Sequence, residues 1–245
     1  MLNSALTELY LFCKIIVLRA ICHNVHYNGG HKMPTLTTYK VKTKGRNLVL
    51  RVSKGHFATG RSHSNYYIDV TVQKSRLSEA QALAKEIAAY YNKNTIVDTI
   101  LCLDEMQVVG TCLADELTRG DFLNMNAHQT IYIVTPEQTS GNQLLFRDSM
   151  TPMIAGKHVL ILAASVNTGY TVKAAIEAVG YYGGATVGIA SIFATTEDCM
   201  GIPVRSVFDP NDLDGYMINP SHECPLCKRG EKINALVNSF GFSKL

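Results

Sequence analysis

Residues 163–171 read Ala-Ala-Ser-Val-Asn-Thr-Gly-Tyr-Thr, and their types and spacing suit the capture of a phosphate. An apolar run from Val159 to Ala164 delivers Thr168-Gly169-Tyr170-Thr171 to the start of a helix. Backbone N–H groups in the first turn of a helix have no acceptor within it and carry partial positive charge. An anion there is stabilised, and the hydroxyls of Thr168 and Thr171 add donors. Gly169 lets the backbone approach the anion or take φ > 0. The candidate phosphate contacts are therefore Ser165, Asn167, Thr168, Gly169, Tyr170 and Thr171. Ala163 and Ala164 offer neither charge nor hydrogen bond to whatever lies beside that phosphate.

Three other constellations could do chemistry. Asp104-Glu105-Met106-Gln107 follows a second apolar run, Thr95 to Leu103. Two carboxylates facing a phosphate would repel it unless a divalent ion lay between them. The expected role of Asp104 and Glu105 is plainer: they face solvent or favour the positive end of the next helix. His63-Ser64 lacks the G-x-S-x-G turn of a nucleophile elbow and reads as turn residues. Cys224-Pro-Leu-Cys227 has the spacing of half a zinc site, with His222 nearby. A structural zinc takes four ligands, and no second close pair exists, so a surface turn with two thiols is expected and no metal is assigned.

The elements that must position these residues alternate. Arg46–Val52 and Tyr66–Val72 read as strands, joined by the polar turn KGHFATGRSHS. Ser78 with Gln81 opens a helix whose apolar face is Leu83, Ala84, Ile87, Ala88 and Tyr91. A strand over Thr95–Leu103, a helix over Val108–Arg119 stopped at Gly120, and a strand over Thr130–Val134 follow. A polar connection, 135–157, leads to the Val159 strand, the phosphate turn and a helix over Val172–Tyr182. Strands over Thr186–Ile192 and Val204–Phe208 and a terminal helix over Lys232–Asn238 close the chain. Strand–helix alternation predicts a mainly parallel, doubly wound α/β sheet.

With 245 residues, 47% hydrophobic and 18% charged, the chain is globular. A net charge of +3 without long basic runs speaks against nucleic-acid binding. Seven cysteines, an odd and scattered set, favour a reducing, cytoplasmic setting over a disulfide framework. Leu9–Ile21 is apolar but carries Lys14 and Arg19 and is too short to span a bilayer, so no membrane partner is expected. Residues 1–40 are expected to be an extension, its first 32 residues an over-extended start or a small docking helix, and 41–245 a single domain.

On these residues a resemblance can be stated. The Val159–Thr171 segment resembles the ribose-5-phosphate loop of the type I phosphoribosyltransferases, where two acidic residues and a T-T-G-x-T or D-T-G-x-T turn follow an apolar strand. Gly55–Asp69 (GHFATGRSHSNYYID) is similar to the N-terminal segment of orotate phosphoribosyltransferases, which helps to form a hood over the base. CPLCKRG (Cys224–Gly230) is similar to a C-terminal segment of some members. The likeness spans Arg46 to the C-terminus and is thin between these segments.

The resemblance implies a Rossmann-like fold: a mainly parallel sheet of about five strands flanked by helices, with a small N-terminal hood at about 45–75, a core at 78–210 and a C-terminal segment at 211–245. It implies hood or base-facing roles for Phe57, Arg61, His63, Ser64 and Tyr66. It further implies a nucleoside monophosphate or phosphoribosyl pyrophosphate ligand, a homodimer, and Mg2+ if the chain is active. Three departures count against efficient transfer. Ala163-Ala164 stands where the acidic pair would bond the ribose hydroxyls, a loss of about 3–6 kcal/mol if both bonds act in the transition state. That is about 10² to 10⁴ in rate, although such terms do not simply add. Leu103–Gln107 replaces the glycine-rich pyrophosphate turn. Residues 135–157 hold only Arg147 and Lys157 in place of a basic mobile loop, and Arg147 reads as a surface arginine.

The expected function is thus binding of a 5′-phosphorylated ribosyl ligand, with transferase activity weak or lost. The alternatives are an active transferase acting on a pyrimidine base and a regulatory or scaffold protein with a vestigial pocket. The lack of G-x-G-x-x-G after the first strand counts against a dehydrogenase of the NAD type.

Overall fold

The computed structural model describes residues 36–42, 48–91, 95–119, 124–127, 129–139, 143–238 and 241–245. The expectations for residues 1–32 and for the Gly120 stop lie outside them. Thr38–Lys42 (β1) pairs antiparallel with Val49–Ala58 (β2), so pairing begins ahead of the expected boundary at 40, inside a unit spanning Leu36–Leu245. β2 reverses into Ser62–Asp69 (β3). The polar stretch expected as one long turn is mostly strand. Thr59, Gly60 and Arg61 make the reversal, with Thr59 Oγ1 donating to the Ser62 carbonyl (3.0 Å) and accepting the Ser62 N–H (3.0 Å). Beyond β3 the Asp69 carboxylate accepts the Thr71 N–H (3.0 Å) and starts Thr71–Ser75 (α1), where the sequence had suggested continued strand.

Leu77–Tyr91 (α2) buries the expected face, with Leu83, Ala84 and Ile87 fully enclosed. Then come Thr99–Cys102 (β4), Gln107–Thr118 (α3) and Tyr132–Val134 (β5). Within the polar connection Glu137–Gln138 (β6) and Leu144–Leu145 (β7) form a small hairpin that buries Leu144 and Phe146. His158–Val166 (β8), Tyr170–Tyr181 (α4), Ala185–Ala194 (β9), Asp198–Cys199 (β10) and Ile202–Phe208 (β11) complete the core.

Its sheet runs β10-β11-β9-β8-β4-β5, with β11, β9, β8, β4 and β5 parallel and β10 an antiparallel edge. Both faces are covered. Leu160, Leu162 and Ala164 of β8 meet α2 and α3, while Val159, Ile161 and Ala163 meet α4. That alternation along an uninterrupted apolar strand is what burial on two faces requires. Numbered along the chain, the five parallel strands lie in the order 2-1-3-4-5, so the winding reverses between β4 and β8. Ligands in such sheets sit beyond the strand ends at that reversal.

A second sheet, β3 and β2 flanked by C-terminal strands, stands over this point. Ile218–Pro220 (β12) pairs with β3; past the short helix Pro225–Lys228 (α5), Ala235–Asn238 (β13) adds parallel to β2 and turns into Gly241–Lys244 (β14). The helix expected over Lys232–Asn238 is therefore a strand. The open edge of β2 at Phe57 and Ala58 offers unpaired backbone groups, and pairing there outweighs local propensity. The hood is thus built from both ends of the domain.

Gly188 marks the tightest packing between α2 and the sheet, since a Cβ there would lie 2.7 Å from the Tyr91 ring, whose hydroxyl donates to the Ile189 carbonyl (2.9 Å). Gly188→Ala should lower unfolding free energy by about 1–3 kcal/mol, read from urea midpoints. An unchanged midpoint would contradict this packing.

Candidate functional site

The cleft between hood and core sits at the β4–β8 reversal and has a volume of about 850 Å³. Its floor is the turn after β8. Gly169 has φ +69°, caps α4, and hands its carbonyl to Lys173 N–H (2.8 Å). Among the described residues no protein acceptor meets the amides of Thr168 to Thr171. The turn is held from behind, where Thr195 Oγ1 donates to the Asn167 carbonyl (2.7 Å) and Thr195 N–H to that of Val166 (2.9 Å). All six candidate phosphate contacts, Ser165 to Thr171 apart from Val166, line the cleft.

Arg61, at the tip of the β2–β3 turn, lies over the Tyr170 ring with its guanidinium carbon 3.5 Å from the ring centroid. Tyr170 is 45% exposed, so the stack is a lid contact and not core packing. It brings a permanent cation beside the amide cradle. Lys74 of α1 is the second cation; its Nζ donates to the Asp104 carbonyl (2.9 Å) and meets Glu105 Oε2 at 3.4 Å. Nothing in the spacing around Lys74 marks it in the sequence, because α1 itself was not expected.

The alanine pair divides. Ala164 lines the cleft, whereas Ala163 is buried beneath α4. Only position 164 could present a side chain to a ligand.

Asp104 corrects the expectation of a solvent-facing residue. Asp104 and Glu105 both adopt left-handed backbone, with φ 50° and 62°. That turn aims Asp104 inward, and its Oδ2 accepts the Ala164 N–H at 3.2 Å. Burial pushes the Asp104 carboxyl above its ordinary range, against the lowering effect of the Ala164 amide and Lys74. One carboxylate from the neighbouring loop thus reaches the edge that the alanines leave bare. Glu105 is exposed and pairs with Lys74; Met106 is buried at the start of α3, and Gln107 begins that helix.

Of the base-facing candidates, Phe57, Arg61, Ser64 and Tyr66 line the cleft. Phe57 is buried against Tyr67 and Phe242, and the Ser64 hydroxyl is engaged by the backbone of Tyr66 (2.8 and 3.0 Å). Tyr66 OH donates to the Asp214 carbonyl (2.6 Å). Tyr216, which the sequence did not single out, lines the cleft and reaches Asn167 Oδ1 at 3.4 Å. His63 departs from expectation: its ring turns away to His56 and Cys227. Arg147 makes a two-pronged pair with Glu137 (2.7 Å for each prong) on the exposed hairpin, as a surface arginine should.

No protein-family model matches the sequence. Among solved structures, the chain is similar to Mycobacterium tuberculosis H37Rv orotate phosphoribosyltransferase in complex with Fe(III) dicitrate, at 17% identity and TM-score 0.47, over 67% of this chain and 93% of that one. It is similar to Leishmania donovani UMP synthase at 19% identity and TM-score 0.49, over 66% of this chain and 34% of that one. It is similar to Trypanosoma brucei adenine phosphoribosyl transferase in complex with AMP, pyrophosphate and ribose-5-phosphate, at 14% identity and TM-score 0.44, over 62% and 73%. The roles of individual residues rest on this chain's own geometry.

Asp104 makes a pH prediction. The folded chain holds its proton more tightly than the unfolded chain, so the group costs stability as pH rises through the folded value. Asp104→Asn keeps an acceptor for Ala164 N–H without the charge and should be more stable than the parent near pH 7. The gain should vanish below about pH 4, where both states are protonated. Denaturant titrations across that range check this, and a variant no more stable at neutral pH would contradict it.

Proposed function

We propose that the cleft binds a 5′-phosphorylated ribosyl ligand, a nucleoside monophosphate or phosphoribosyl pyrophosphate, with transferase activity weak or absent. The observation that carries this reading is the set of unaccepted amides at Thr168–Thr171 around a left-handed Gly169, with Arg61 stacked beside them. Oriented N–H groups at a helix start and a guanidinium are phosphate ligands by chemistry. The aromatic wall of Tyr66, Tyr67 and Tyr216 suits a planar base above the sugar.

Weak transfer follows from the carboxylates. Among the described lining residues only Asp104 and Glu105 carry them, and Glu105 is taken up by Lys74. One carboxylate remains for a task that the resembling enzymes give to two. Asp104 also favours a second reading, an active transferase on a pyrimidine base. In that reading its carboxylate, close to the bare edge at Ala164, contacts the ribose or shares Mg2+ with bound phosphates. The exposed ring of Tyr181, edge-on to Tyr182, supports a scaffold role less directly.

Calorimetry with uridine or orotidine monophosphate and with phosphoribosyl pyrophosphate, with and without magnesium, tests the binding. Thr168→Ala with Gly169→Val should abolish the heat signal: the valine cannot hold φ +69° and the hydroxyl is gone. Thr168→Ala alone, with an unchanged denaturation midpoint, should weaken it about 10–100-fold, the worth of one hydrogen bond to a charged group. Undiminished affinity in the double variant refutes the site. Orotate consumption at high protein concentration, lost in Asp104→Asn, would establish the second reading over the first.

A further inference from the structure

The pair Cys224 and Cys227 does not stand alone. α5 carries it against the β2–β3 hairpin, where His56 and His63 meet it, 168 residues away along the chain for the His56–Cys224 contact. His56 Nε2 lies 3.1 Å from His63 Nδ1, 3.5 Å from Cys224 Sγ and 3.7 Å from Cys227 Sγ; His63 Nδ1 lies 3.2 Å from Cys227 Sγ. All four donor atoms fall within 4.8 Å of one another. With Zn–N of about 2.0–2.1 Å and Zn–S of about 2.3 Å, tetrahedral geometry puts neighbouring donors about 3.4–3.8 Å apart. The four measured spacings lie within a few tenths of an ångström of those edges.

Hydrogen bonding accounts for only part of this convergence. His56 is 2% exposed, and its Nδ1 sits 2.9 Å from the Glu231 carbonyl, which can only accept. In the neutral ring Nδ1 therefore carries the proton and Nε2 offers its lone pair. That one lone pair faces an imidazole nitrogen and two sulfurs, and a single proton can serve only one of them. The local backbone is shaped to this end. The β2–β3 ladder slips between Lys54 and Phe57, as at a bulge that re-aims a side chain. The Asn234 side chain then takes up the freed His56 N–H (2.7 Å), while Asn234 N–H donates to the His56 carbonyl (2.7 Å).

We infer that His56 Nε2, His63 Nδ1, Cys224 Sγ and Cys227 Sγ bind one zinc ion that pins the C-terminal segment to the hood hairpin. The two thiols give up their protons to solvent and bind as thiolates, so two negative charges cancel the ion's two positive ones. A neutral complex suits a buried position, and four protein ligands leave no site open for catalysis. Cys227, the exposed member, marks the route by which the ion enters. His222, the ligand suggested by sequence proximity, is exposed and pairs with Glu223 (3.3 Å) instead. The site lies outside the cleft and is independent of the ligand proposed there.

Elemental analysis of the full chain, purified without chelator and passed through gel filtration, should find about one zinc per chain. The chain stripped of metal and titrated with Co2+ should develop the intense visible bands of tetrahedral cobalt and thiolate charge transfer, saturating at one equivalent and reversed by Zn2+. Cys227→Ser, at an exposed position that folding tolerates, should lose the retained metal and the charge-transfer band, while His222→Ala and Cys199→Ser keep both. A wild-type chain that shows only weak octahedral cobalt absorption would overturn the inference without recourse to any variant. So would full metal retention in Cys227→Ser, or a Cys224–Cys227 disulfide found by thiol counting in the freshly purified protein.

Discussion

The first turn of the helix at Tyr170 leaves its backbone N–H groups without acceptors, and the rest of the cleft is arranged around that electrostatic fact. The parallel sheet fixes where those groups point. Winding reverses between β4 and β8, so the ends of these two strands diverge and leave a gap that no crossover fills. β8 delivers the cradle to one side of this gap and β4 delivers Asp104 to the other. The hydrogen bond from Ala164 N–H to Asp104 ties the two edges together.

A phosphate bound in the cradle would lie beside Arg61, which stacks on Tyr170. Arg61 comes from the β2–β3 turn and Lys74 from α1, while the two carboxylates come from the loop after β4. Lys74 offsets Glu105, which leaves Asp104 as the group that sets how much negative charge a ligand must tolerate. Its raised carboxyl pKa has the same origin: a half-buried acid whose neighbours only partly replace water. The proposed loss of efficient transfer rests on this arithmetic of carboxylates, which leaves one to meet the ligand. The hood adds a mechanical constraint. Its sheet joins β2 and β3 to strands from the far end of the chain, and the His–Cys cluster lies on the same hairpin that carries Arg61. What fixes that hairpin also fixes the cation above Tyr170.

Much of this was legible in the sequence. The alternating burial of β8, the helix face of Leu83, Ile87 and Tyr91, and the glycine turn at 169 all follow from local periodicity and backbone allowance. Several of the misses share one physical cause, non-local pairing. Lys232–Asn238 has no strand signal of its own and becomes one because β2 offers an edge. His63 was assigned by its place beside the hood motif, but a partner 164 residues away redirects its ring. Asp104 looked solvent-facing because nothing in LDEMQ announces two successive left-handed residues. Single-sequence reasoning sees neighbours along the chain, and these three positions are decided across it.

The central claim is that main-chain amides at Thr168–Thr171 are the phosphate ligands. Its most direct test is an amide 15N–1H NMR titration of the full chain with ribose-5-phosphate. The account predicts saturable downfield proton shifts concentrated at Thr168, Gly169, Tyr170 and Thr171, with a smaller response at Arg61. Saturating shifts confined to another surface, or none at these four amides, would contradict it.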